Sequence, residues 1–198
     1  MVDKYEDRSF YFFSYEEAAR NLAIKLIMLM AGKMLMAGKA HNEGAIFGSY
    51  INYLKEKRGT DKDVEKAIQE YQELTASGRL WLLDSRLSAE DLATTIGYLA
   101  KRADVGAVFV DYIQKIPLQR PQAGQRYLDI KRVSELMLEQ AVSQDISIIL
   151  GAQLSRASTQ RQDKKPRLED LRESGDLEQD ANLVLGLYNK AKEEADEA

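Results

Sequence analysis

Two kinds of apolar run follow one another along this chain. Short, continuous ones lie at Ser9 to Phe13, Arg79 to Asp84, Val105 to Ile113, Ile146 to Gln153 and Leu183 to Tyr188. Apolar runs of this length, bounded by turn residues, predict strands, and the continuous runs at Val105 to Ile113 and Ile146 to Gln153 predict buried ones. Between them the spacing becomes helical. From Glu16 to about Met36 there is no proline, and Leu22, Leu26 and Leu29 recur at helical intervals. Gly38 and the polar run to Gly44 predict a break. Thr60 or Asp61 can cap a second helix to about Ala76, with Ser77-Gly78 as its stop signal. Ser88 predicts the cap of a third helix, to about Arg102, with Asp91 three positions on in a capping-box arrangement. Pro117 and Pro121 mark a loop, after which Gln125 to Gln144 reads as a helix with Val133, Leu136, Met137 and Ala141 on its buried side. Strands alternating with helices indicate an α/β layered sandwich around a mostly parallel sheet. No repeat or flexible linker divides the chain. A single domain over residues 1–190 is expected, with a charged tail, 191–198, that frays.

Composition narrows the picture. The chain has 198 residues, 44% of them hydrophobic, enough for one domain with a core. A net charge of -4 gives no global attraction to nucleic acid, so any such contact must come from a local basic patch. There is no cysteine, which excludes disulfides and thiolate metal sites. Lys25 and Lys33 interrupt the most apolar stretch, far short of a membrane span, and Asp3, Glu6 and Asp7 stand where a signal peptide would be basic. A cytoplasmic protein is expected. His41, the sole histidine, lies in a polar loop and is expected to be neither ligand nor base; Trp81, inside an apolar strand, is expected in the core.

Several segments carry a more specific signal. DLRESGDLEQDANLVLGLY (Asp170 to Tyr188) joins an Arg-Glu-Ser-Gly turn, an acidic helical start and an apolar strand. It is preceded by FYFFSYEE (Phe10 to Glu17), VGAVFVDYIQ (Val105 to Gln114), a helix near Arg132 to Gln144, and SIILGAQLSR (Ser147 to Arg156). In this order they resemble the C-terminal ATPase domain of DnaB-type replicative DNA helicases, a RecA-like fold, over roughly residues 8 to 190. The Arg-Glu-Ser-Gly turn with its Glu-Gln-Asp-Ala helix argues against other RecA-like ATPases.

The resemblance implies roles that the residue chemistry can support. An apolar strand ending in Asp111 delivers a carboxylate to the sheet's C-terminal edge, where α/β ligands bind. The family uses such an Asp, in its Walker B segment, to hold water on Mg²⁺. Glu16 would polarise the attacking water as general base; Glu17 would be a first-turn helix residue. Gln153, ending a strand, would sense a γ-phosphate. The basic loop from Ser155 to Arg167 has five basic residues and one acidic one, and by itself reads as solvated surface. In the family it leads into a segment lining the pore of a ring hexamer. Arg172 would then bond a phosphate, Gly175 would let backbone amides approach, Glu173 would face a cation or amide, and Lys164, Lys165 and Arg167 would add local charge. The partners implied are single-stranded DNA and further subunits of the ring or an intact helicase.

Two departures accompany the resemblance. No G-x-x-x-x-G-K-[ST] occurs in the 198 residues, although the family places that phosphate loop before Phe10. The Ala-Gly-Lys triplets at Ala31 to Lys33 and Ala37 to Lys39 lack the leading glycine and follow no strand. ATP and Mg²⁺ are therefore expected only where the loop is supplied, and not for the isolated chain. Losing the loop's interior strand should also leave a scar, filled by another segment, a partner chain or a narrowed sheet with new pairings. The second departure is Asn189-Lys190 after Tyr188, where the family places an Arg that reaches the neighbouring subunit's phosphate. Lys190 could replace it only imperfectly.

Overall fold

The computed structural model describes residues 7–36, 62–155, 161, 165–174 and 177–188. The first strand, β1 (Ser9–Ser14), is followed by helices α1 (Ala19–Met36) and α2 (Lys62–Ala76) and by β2 (Leu80–Leu83). Helix α3 (Ala89–Ala100), β3 (Val105–Asp111), helix α4 (Arg126–Gln144) and β4 (Ile148–Leu150) complete the layers. A 3-10 helix, Leu168–Ser174, and the one-turn helix α5 (Leu177–Asp180) close the described part. All strand pairs are parallel, in the order β2-β1-β3-β4. This is the α/β layered sandwich that the sequence predicts.

The sheet is covered on both faces, which is why its central strands are apolar throughout. On one face Tyr11, Phe13, Val108 and Val110 pack against Leu92 and Ile96 of α3 and Ile130, Val133 and Met137 of α4. On the other, Phe10, Leu80 and Ala107 meet Leu26 and Met30 of α1 and Leu74 of α2. Ala141, expected on the buried side of α4, is only half-buried.

Local signals set the helix ends. Ser88 Oγ accepts from the Asp91 N–H at 3.1 Å and donates to the Asp91 carboxylate at 2.6 Å, the expected capping arrangement. Gly78, at φ +73°, ends α2 in a left-handed conformation, and its carbonyl accepts from Ser9 Oγ. Helix α1 starts at Ala19 rather than Glu16, because the Glu17 N–H turns back onto Ser14 Oγ and Asp84 from β2's end accepts the Ala19 N–H. The proposed caps Thr60 and Asp61, the break at Gly38 and His41 lie outside the described residues, as does the tail.

Two expectations fail. Trp81 is 46% exposed. It lies on β2, an edge strand among the described residues, where its ring stacks on Tyr11 and its Nε1 donates to the Gly78 carbonyl. Leu183 to Tyr188 forms no strand: it pairs with no described residues in a ladder, and Leu187 is 92% exposed. β4 is shorter than Ile146 to Gln153, and among the described residues it has only β3 as a neighbour. Residues 1–6, where a strand preceding β1 would lie, are outside the described residues.

Candidate functional site

Parallel pairing brings the carboxyl ends of β1, β3 and β4 to one edge of the sheet. Ser14 is in register with Asp111, and the Tyr15 N–H donates to the Asp111 carbonyl at 2.8 Å. Glu16 therefore leaves β1 beside Asp111. Glu17 does not begin a helix; its carboxylate receives Lys25 Nζ at 2.7 Å. Burial, and then the charges of Glu16 and Glu17, raise the Asp111 pKa above the ordinary carboxylate value, while Lys25 opposes the shift. Lys25 was not signalled by the motifs, because it comes from the second turn of α1 and reaches the edge only in the folded chain.

Such an edge is rich in acceptors and short of donors. A partly desolvated Asp111 beside Glu16 fits a hydrated Mg²⁺ held through a single carboxylate and water. The described residues contain no cluster of three or more Asp, Glu, His or Cys suited to a metal, so protein groups alone would not cage the ion. Lys25, whose charge opposes the shift of Asp111, is already paired with Glu17. These residues fit the metal-water part of a nucleotide site and not the phosphate cradle.

Gly151 connects β3 with β4's end. Its N–H donates to Val110 O at 2.8 Å, and its carbonyl accepts the Ile113 N–H at 2.9 Å. A Cβ at this position would stand 3.2 Å from Asp111 Oδ1 and 3.3 Å from Tyr112 Cβ, so glycine keeps the two strand ends close. Exposed Gln153 follows, its main chain held by the Gln114 side chain. Glu16, Asp111 and Gln153 thus share one sheet edge.

The second part of the site is organised by Asp170, which is 2% exposed. Its carboxylate accepts two guanidinium N–H groups of Arg161, at 2.9 and 2.7 Å, and the Arg167 N–H at 2.8 Å. The hydrogen bonds from Arg161 hold its pKa below the ordinary value. Its carbonyl accepts the Ser155 N–H at 3.0 Å, tying the 3-10 helix to the strand end that carries Gln153. Arg161 also donates to Lys165 O. Lys165 and Arg167 are exposed, and Arg167 shares Glu169 with Arg161. The backbone of Arg172 and Glu173 belongs to this helix; their side chains, with Lys164, Gly175 and Lys190, lie outside the described residues. The acidic helix that follows is structural: Leu177 enters the core, and Asp180 accepts Ser134 Oγ at 2.6 Å.

Comparison with known proteins gives this arrangement its relatives. The model of the "DnaB-like helicase C terminal domain" family matches residues 2–198. The chain is 29% identical over 188 residues to the replicative DNA helicase DnaB of Rickettsia prowazekii, covering 95% of this chain and 35% of that protein. It is 33% identical over 138 residues to a probable plasmid replicative DNA helicase of Chlamydia psittaci, covering 68% and 30%. Among solved structures, an isolated ATPase domain superposes with a TM-score of 0.70 at 24% identity, over 94% of this chain and 61% of that one. A DnaB-like replicative helicase, solved in a study of its interactions with primase, gives 0.76 at 24% identity, over 98% and 44%. The chain spans about a third of the length of the curated relatives it matches.

Proposed function

Because the chain belongs to the DnaB-like helicase C-terminal domain family, we propose that it is part of an ATP-driven motor that unwinds duplex DNA in replication. Glu16, Asp111 and Gln153 are its share of a nucleotide site, and the Arg172 turn is its contact with single-stranded DNA. The observation that carries this reading is the convergence of those three residues at one sheet edge, around an Asp whose charge is disfavoured there.

Bound Mg²⁺ and triphosphate would supply the electrophilic phosphorus and neutralise its oxygens. Asp111 orients a water on the ion's side of the site. Glu16 takes the proton of the attacking water. Gln153 reads the presence of the terminal phosphate, and Ser155 and Asp170 relay its position to the helix carrying Arg172. Arg172, Glu173 and Gly175, with Lys164, Lys165 and Arg167, meet the DNA backbone without reading bases. In a ring hexamer, Lys190 is the cation offered to the neighbouring subunit's nucleotide. The setting is cytoplasmic; no helix among the described residues is long and apolar enough to cross a membrane.

The phosphate cradle is not in these 198 residues. The outer edge of β4 and the exposed Leu183 to Leu187 support a further strand of the domain beside them. A second reading is a non-catalytic RecA-like module that binds single-stranded DNA or assembles with an intact helicase. The coding sequence upstream of Met1 separates the two. With an in-frame Gly-Lys-Thr there, the longer product should hydrolyse Mg²⁺-ATP with stimulation by single-stranded DNA. Glu16→Gln should lower that rate roughly a hundredfold or more; equal rates would overturn the motor reading. The isolated chain should bind nucleotide weakly or not at all, and micromolar, Mg²⁺-dependent binding by titration calorimetry would show a complete site.

A further inference from the structure

Gln114 lies in the short 3-10 turn after β3, Ile113–Lys115. Its Nε2 donates to the Gln153 carbonyl at 3.1 Å, and its Oε1 accepts the Gln153 N–H at 3.1 Å. One side chain, 39 residues away in sequence, thus takes both main-chain polar groups of Gln153. The last ladder pair between β3 and β4 is Val110 with Leu150. Beyond it Gly151 still bonds Val110 and Ile113 through the main chain, and the Gln114 carboxamide extends that connection to Gln153 as a strand's peptide group would. Gln114 is itself held, because Arg126 at the start of α4 donates to its carbonyl. Two residues after Gln153, the Ser155 N–H reaches the Asp170 carbonyl at 3.0 Å.

We propose that Gln114 is a positioning residue for Gln153. It fixes the main chain from which the exposed Gln153 side chain projects, and passes that constraint through Ser155 to the 3-10 helix at Leu168–Ser174. The proposal rests on the reading of Gln153 as the phosphate-sensing group. A carboxamide is suited to this task because it offers one donor face and one acceptor face in a plane, matching a peptide unit. An ionised glutamate offers acceptors only, and alanine offers neither.

Amide hydrogen exchange on the full chain provides the test. In Gln114→Ala, the Gln153 amide should exchange roughly fivefold or more faster than in the wild type, and the Ser155 amide should also lose protection. The Val108 and Gly151 amides, held by Ser147 and Val110, should keep theirs. Gln114→Met adds a readout that a merely space-filling role would not move. Methionine is of similar size and offers the Gln153 main chain neither donor nor acceptor, so Gln153 protection should fall as it does in Gln114→Ala. Unchanged Gln153 exchange in Gln114→Ala, or wild-type exchange in Gln114→Met, overturns the proposal. Neither measurement uses nucleotide, so a failure of the phosphate-sensing reading leaves both outcomes as stated.

Discussion

Tyr15 stands between Ser14 and Glu16 with its ring in the core and its hydroxyl buried without a hydrogen-bond partner among the described residues. Burial, and then the nearby Asp91 charge, push its ionisation well above that of an ordinary phenol. A hydroxyl stripped of water and given no partner contributes nothing favourable, so Tyr15→Phe should be neutral or stabilising by up to about 1 kcal/mol. Urea denaturation checks this; a loss of more than about 1 kcal/mol would mean that the hydroxyl has a partner in solution. Asp170 behaves in the opposite sense. Arg161 lowers its pKa, so the pair stabilises the fold above the ordinary carboxylate value of 3.8 and loses that effect as pH falls through the lower folded value. Arg161→Gln should therefore destabilise the chain at neutral pH, with the difference from wild type shrinking as pH drops below 3.8. A pH-independent difference would contradict it. Asp111 was legible in the sequence, because an apolar strand ending in a carboxylate fixes where that carboxylate goes. The role of Arg161 was not: it comes from a polar segment whose sequence has no hydrophobic periodicity to read.

At the scale of elements, continuous apolar runs identified strands correctly wherever neighbours existed on both sides. Val105 to Asp111, between β1 and β4, is the clearest case. Its Gly106 explains how two covered faces fit: a Cβ there would lie 2.6 Å from Phe10 Cζ and 2.7 Å from its Cε1. The Phe10 ring is itself 1% exposed and has nowhere to move. Gly106→Ala should cost about 1–3 kcal/mol in denaturation experiments; a change below about 0.5 kcal/mol would show the ring repacking freely. The same reasoning failed for Trp81 and for Leu183 to Tyr188. An apolar run specifies a surface that wants cover, and only the topology decides whether an element arrives to provide it. Among the described residues β2 is an edge strand, and the last run has no strand beside it.

For the whole molecule, a net charge of -4 leaves any DNA affinity to the local cluster around the 3-10 helix. Nothing in the periodicity pointed to DNA; the Arg-Glu-Ser-Gly turn did so through resemblance alone. The fold adds the connection of that turn, by way of Asp170 and Ser155, to the edge holding Asp111 and Gln153. A single protomer offers few phosphate contacts, so its binding to single-stranded DNA should be weak, with a salt dependence of roughly one to three released counterions. In the proposed ring, assembly would multiply the contacts and raise avidity. The most direct test of this account is the affinity of the assembled protein and its Arg172→Ala variant for single-stranded DNAs of different sequence at low salt. The account predicts that the substitution weakens binding by a similar factor for every sequence and lowers the salt slope by about one. Equal affinities of variant and wild type would contradict it.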